Sequence, residues 1–185
     1  MAKIYNVFKI RRKDMKQEKK EYLISMIKKY QEEKQDGIRI LETGIGFYPH
    51  GGFTKLCKTL MRPQDILDTV DVCSEHIKKY IDHSGEQNNV NIHNADSVAF
   101  IKNTSFKYDL VYLDSLNCKN HIFNEFIEVM DKLNDKALVV VDDSGIKSHN
   151  QHKWDSYKGL RVYEYLIEKQ IPLDIPCWNV LSATF

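Results

Sequence analysis

The chain is poor in cysteine, and none of its four cysteines pair in spacing. Cys57, Cys73, Cys118 and Cys177 are scattered, with no C-x-x-C among them. This argues against the common zinc and dithiol motifs. With no leader-like apolar segment, the thiols are expected to be reduced, in a cytoplasmic protein. No apolar run is long enough to span a bilayer. An excess of one charge is also missing: 27 basic residues face 26 acidic ones, for a net charge of +1. Neither nucleic acid nor an anionic membrane is favoured as a partner on that balance. There is no internal repeat and no low-complexity linker. At 185 residues the chain suits one domain with a sizeable core.

Charge is uneven only locally. Lys9, Arg11, Arg12, Lys13, Lys16, Lys19 and Lys20 make the N-terminal segment basic. Such a run reads as a solvated helix face.

The most informative stretch runs from Ile38 to Gly46, Ile-Arg-Ile-Leu-Glu-Thr-Gly-Ile-Gly. It reads as a buried strand that ends in Glu42 and enters a Gly-x-Gly turn. Four later strands also end in acids: Asp71, Asp96, Asp114 and the pair Asp142-Asp143. An open α/β sheet gathers the carboxyl ends of its strands along one edge, where ligands bind. Five acidic strand ends imply a site for a polar, partly cationic ligand, with or without a metal.

Around these strands the elements alternate. Residues Met1 to Arg12 read as an edge strand or an arm, and Met15 to Glu33 as a helix. Tyr22, Leu23, Met26, Ile27 and Tyr30 share one face of that helix. Gly37 ends it. Helices are expected over Phe53–Met61, Ser74–Ser84, Ser97–Lys102, His121–Leu133 and Gly159–Gln170, with Phe123, Phe126, Ile127 and Met130 on one side of the fourth. Strands are expected over Ile66–Val72, Val90–His93, Tyr108–Leu113 and Ala137–Val141. The unbroken apolar run of the last suits a central strand covered on both faces. Asp142 to Asp155 is a long polar loop, and Ile171 to Phe185 a terminal hairpin. The pattern predicts a Rossmann-like, doubly wound, mostly parallel sheet with helices on both faces and a C-terminal antiparallel hairpin. Residues 1–37 are expected to form an N-terminal arm and helix, a lid or a homodimer interface, and 38–185 the ligand-binding domain.

The residues suggest roles. Glu42 suits a ligand ammonium, or else satisfies local backbone. Asp71 stands where an acid clamps ribose hydroxyls. Asp96 with Ser97 suits an adenine edge, or else Asp96 caps the next helix.

These motifs, Glu42-Thr43-Gly44-Ile45-Gly46, Val70-Asp71, Asn94-Ala95-Asp96-Ser97, Tyr108 to Asp114 and Val139 to Asp143, occur in the order of class I S-adenosylmethionine-dependent methyltransferases. The chain resembles the small-molecule O-methyltransferase branch, of the catechol and macrocin types, over Ile38 to Ser144. The resemblance implies that Glu42, Gly44 and Gly46 hold the methionine end of S-adenosylmethionine. It implies that Asp71 holds the ribose, Asp96 and Ser97 the adenine, and that Asp114 lies at the reacting centre. In metal-dependent members acids at the positions of Asp114, Asp142 and Asp143 bind Mg2+ or another divalent cation, and oxygen ligands suit such hard ions. Metal-dependent and metal-independent chemistry both stay open. The turn Phe47 to Gly52 is longer than the family's, and the family's base lysine is Asn117 here. Lys119, His50, His149 and His152 are the candidate bases. The expected partner is a small-molecule acceptor, with no nucleic acid and no membrane.

Three other functions compete with this one. A nicotinamide oxidoreductase needs a third glycine where Pro49 stands. A metal-dependent phosphohydrolase needs a cation at a phosphate loop, for which Lys55 and Arg62 are candidates. A non-catalytic nucleotide-binding protein of the same fold is the third.

Overall fold

The computed structural model describes residues 2–45, 52–84, 88–144, 157–177 and 180–185, with the backbone alone for 2–16, 83, 84 and 177. Seven strands form one sheet in the order β3-β2-β1-β4-β5-β7-β6. They are β1 Arg39–Thr43, β2 Ile66–Asp71, β3 Val90–Asn94, β4 Tyr108–Leu113, β5 Leu133–Val141, β6 Leu173–Cys177 and β7 Val180–Thr184. The first five run parallel; β7 is antiparallel to both β5 and β6, so the expected terminal hairpin is present. The helices are α1 Ala2–Glu33, α2 Gly52–Leu60, α3 Ser74–Ser84, α4 Ser97–Asn103, α5 Lys119–Val129 and α6 Leu160–Glu168.

Strand alternation splits the core in two, because successive side chains point to opposite faces. Leu41, Val111, Leu113, Val139 and Val141 point to one face, under Ile122 and Phe126 of α5 and Leu166 of α6. Ile40, Leu110, Tyr112, Leu138 and Val140 point to the other, under Leu23, Ile27 and Tyr30 of α1 and Phe53 and Cys57 of α2. The C-terminal half of α1 is therefore part of the core.

Three expectations differ from the structure. Residues from Ala2 onward are helical, not an edge strand or arm. No glycine or proline stands before Gly37, so a helix nucleated at Met15–Glu33 can extend N-terminally, gaining a hydrogen bond with each residue fixed. Leu133 does not end α5. The helix stops at Val129, a 3-10 turn covers Met130–Lys132, and Leu133 opens β5 opposite Tyr108. On α5, Ile127 is 39% exposed, while Ile122, Phe126 and Val129 are buried. The face turns because Glu125, two positions before Ile127, is drawn inward by polar partners.

Among the described residues no helix is long and apolar enough to cross a membrane.

Candidate functional site

The parallel strands bring Glu42, Asp71, Asp96, Asp114 and Asp142 to one edge of the sheet, as the strand ends predict. Two cavities open there. One, of about 580 Å³, lies over β1–β3 and is lined by Gly44, Asp71, Asp96, Ser97 and His121, among others. The second, of about 520 Å³, lies between α1 and α2 and is lined by Lys19, Leu23, Phe53, Tyr112 and Asp142, among others. Asp114 lines both.

In the first cavity the turn after β1 is backbone-tight. Gly44 has φ +87°, and a Cβ there would lie 2.6 Å from the carbonyl oxygen of Asp114. Only glycine suits that left-handed backbone and that approach. Asp71 holds its neighbours in place: its carboxylate accepts from the Ile45 amide at 3.1 Å and the Cys73 amide at 2.8 Å. Each oxygen retains accepting capacity for a ligand hydroxyl. Asp96 is the N-cap of α4, accepting from the Ala99 amide at 2.9 Å. The capping alternative therefore holds, and Asp96 faces the cavity as well. Ser115 also lines this cavity, and its buried hydroxyl has no hydrogen-bond partner among the described residues.

Ser97 belongs to a network that the residue pattern did not reveal. Its hydroxyl donates to Glu125 and lies 3.0 Å from Nε2 of His121. Thr43 at the end of β1 donates to the other oxygen of Glu125 at 3.2 Å. Glu125 is fully buried. Its hydrogen bond to His121 raises the imidazole pKa, against the opposing effect of burial. The only signal in the chain is the i, i+4 spacing of His121 and Glu125, which is common on helices.

Glu42 is turned inward. It is buried and lines neither described cavity. It accepts from the hydroxyl and amide of Thr54 in the first turn of α2, and from the Thr69 hydroxyl at 2.8 Å. Burial pushes its carboxyl up to about 7, against the pull of those hydrogen bonds.

The second cavity holds a surprise of charge. Lys19, expected on a solvated helix face, reaches Oδ2 of Asp142 at 2.5 Å. The Tyr112 hydroxyl donates to that same oxygen at 2.5 Å, and the Asp143 amide donates to the other at 2.8 Å. Burial raises the Asp142 pKa, but Lys19, the Tyr112 hydroxyl and the Lys158 charge together outweigh it, and the net shift is downward. Lys158, which no motif singled out, is buried and pairs with Asp114. The next residue, Gly159, packs its backbone against Ser144, since a Cβ there would lie 2.7 Å from the Ser144 Cβ. Burial pushes Asp114 up to about 7, the Asp142 charge adds to this, and Lys158 pulls it back.

The expected metal set Asp114, Asp142 and Asp143 is not gathered as one. Among the described residues no three His, Cys, Asp or Glu side chains stand together as metal ligands. Ammonium groups already neutralise Asp114 and Asp142, and Asp143 is exposed. As it stands, this donor set does not fit a divalent cation. Of the candidate bases, Lys119 opens α5 and lines neither described cavity. His50, His149 and His152, with Gly46, lie outside the described residues. Arg62, a candidate for phosphate, is bound to Asp65 before β2, at the opposite edge of the sheet.

No protein-family model matches the chain, and no curated protein sequence matches it. Its fold matches solved structures. One is the MycE methyltransferase of the mycinamycin pathway, in complex with Mg, S-adenosylhomocysteine and mycinamycin VI, at 14% identity and TM-score 0.64 over 84% of this chain. This chain spans only 47% of the MycE chain. Another is the O-methyltransferase TomG from Streptomyces achromogenes, in complex with S-adenosylmethionine, at 16% identity and TM-score 0.64 over 90% of this chain and 79% of that one. A third is an O-methyltransferase from Bacillus cereus with S-adenosylhomocysteine, at 14% identity and TM-score 0.63 over 90% of this chain and 80% of that one. The chain has the class I S-adenosylmethionine-dependent methyltransferase fold.

Proposed function

We propose that the chain is an S-adenosylmethionine-dependent methyltransferase that modifies a small molecule at a hydroxyl oxygen. The observation that carries this reading is the position of Asp114, one carboxylate facing two cavities. The first cavity takes the cofactor, with Asp71 at the ribose and Asp96, Ser97 and the Ser115 hydroxyl toward the base. The Gly44 turn gives the cofactor close access to backbone. A volume of about 580 Å³ is within the usual range for such a ligand. The second cavity takes the acceptor, and α1 is its wall.

When bound, the cofactor supplies a methyl group on a sulfonium, which an oxygen in line with the carbon–sulfur bond displaces. The protein's own task is alignment and removal of one proton. Asp114, with its pKa raised to about 7, accepts the proton of the acceptor hydroxyl at neutral pH. A base whose pKa lies near the working pH is effective in that role. Lys158 fixes the carboxylate in place. Glu42 positions the start of α2, and so one wall of the second cavity. No step runs through a metal, because lysines already neutralise the acids that would hold one.

Calorimetric titration with S-adenosylhomocysteine tests the reading. Binding in the micromolar range is expected; no heat up to about 1 mM ligand would remove the methyltransferase assignment.

A further inference from the structure

We propose that the acceptor carries an anionic group, a carboxylate or a phosphate, on an apolar body. This rests on the methyltransferase reading of the second cavity.

The five acidic strand ends point to a cationic ligand, but the charges at this cavity are arranged otherwise. Its two acids are both neutralised, Asp142 by Lys19 and Asp114 by Lys158. Two further lysines line it: Lys20 on α1 and Lys55 on α2, both exposed and neither in an ion pair among the described residues. Gly52, the first residue of α2, also opens onto the cavity, so the positive end of that helix adds to the field. Between them lies an apolar wall. Phe53 stacks on Tyr112 with centroids 4.2 Å apart and planes 9° from parallel, and Leu23 and Leu56 continue the surface. The wall suits a ring or chain, and the ammonium groups of Lys20 and Lys55 suit a negative charge at its outer end. The hydroxyl to be methylated then points inward to Asp114.

The test uses three probes that differ only in the end group: 4-hydroxyphenylacetate, its neutral amide, and tyramine. Their affinities for the full chain are measured by calorimetry, with and without saturating S-adenosylhomocysteine, at low and high salt. The carboxylate is expected to bind roughly fivefold better than the amide at low salt, as two exposed charge pairs would give. Tyramine should bind worst. The advantage should fade at about 0.5 M salt, where exposed charges are screened. The doubly reversed variant Lys20→Glu with Lys55→Glu should prefer tyramine. Equal affinity for all three probes, or a preference that neither salt nor the variant changes, would overturn the proposal. Because the preference is also read without the cofactor product, its failure is distinct from a failure to bind S-adenosylhomocysteine.

Discussion

Replacing Glu42 by glutamine should change how stability depends on pH. Glu42 is fully enclosed, and its carboxyl is raised from 4.5 to about 7 in the folded state. The folded chain therefore favours the neutral acid. A raised acid contributes its stability below the unfolded value and loses it as pH rises through the folded one. The window is therefore pH 4.5 to about 7. A shift of that size corresponds to roughly 3 kcal/mol, at about 1.4 kcal/mol per unit. For a chain of this length that is a difference of roughly 6–12 °C in Tm. Glutamine has nearly the same shape and no charge to desolvate, and the hydroxyls of Thr54 and Thr69 can turn to suit it. Urea melts of both proteins at pH 5 and pH 8 isolate this group, since every other titration is shared. The wild-type protein should lose about 3 kcal/mol more than the variant between those pH values. Parallel behaviour would refute the argument and place a compensating positive charge beside Glu42. The same variant tests the expectation that Glu42 holds a ligand ammonium. A positioning role leaves S-adenosylhomocysteine affinity within about threefold, whereas a lost charge-assisted contact costs tenfold or more.

Other predictions follow from the two cavities. Asp71→Asn should weaken S-adenosylhomocysteine about 10- to 100-fold by calorimetry, as loss of charge-assisted bonds to ribose hydroxyls requires; a loss under threefold would separate Asp71 from the ligand. Gly44→Ala should destabilise the fold by at least about 1–2 kcal/mol from left-handed backbone alone, before the contact with Asp114 is counted. An unchanged urea midpoint would refute it. Lys19→Met should cost roughly 2 kcal/mol, less than for a fully buried pair because Lys19 keeps 30% exposure. Adding Asp142→Asn should restore most of that loss, and additive effects in the double-mutant cycle would argue against the pairing.

The mostly parallel sheet and the gathering of acids at one edge were legible in the chain because both follow from local patterns. Short apolar runs, each ending in an acid and most followed by a helix, leave few topologies open. The tight turn at Gly44 and the cap at Asp96 could be read for the same reason, since each acts within a few residues of its own strand. The N-terminal residues 1–12 alternate only weakly, and the lack of any helix breaker before Gly37 lets the helix start at Ala2 instead of an arm or edge strand. The partners of the acids could not be read. Lys19 and Asp142 are 123 positions apart, and Lys158 and Asp114 are 44 apart. Nothing local marks either lysine. The sequence by itself determined which strands form and where their acidic ends collect. Only the tertiary structure decided which of those acids are free to act. The charge of a site depends on pairing between distant elements, and that is settled when α1 and the segment before α6 pack onto the sheet edge.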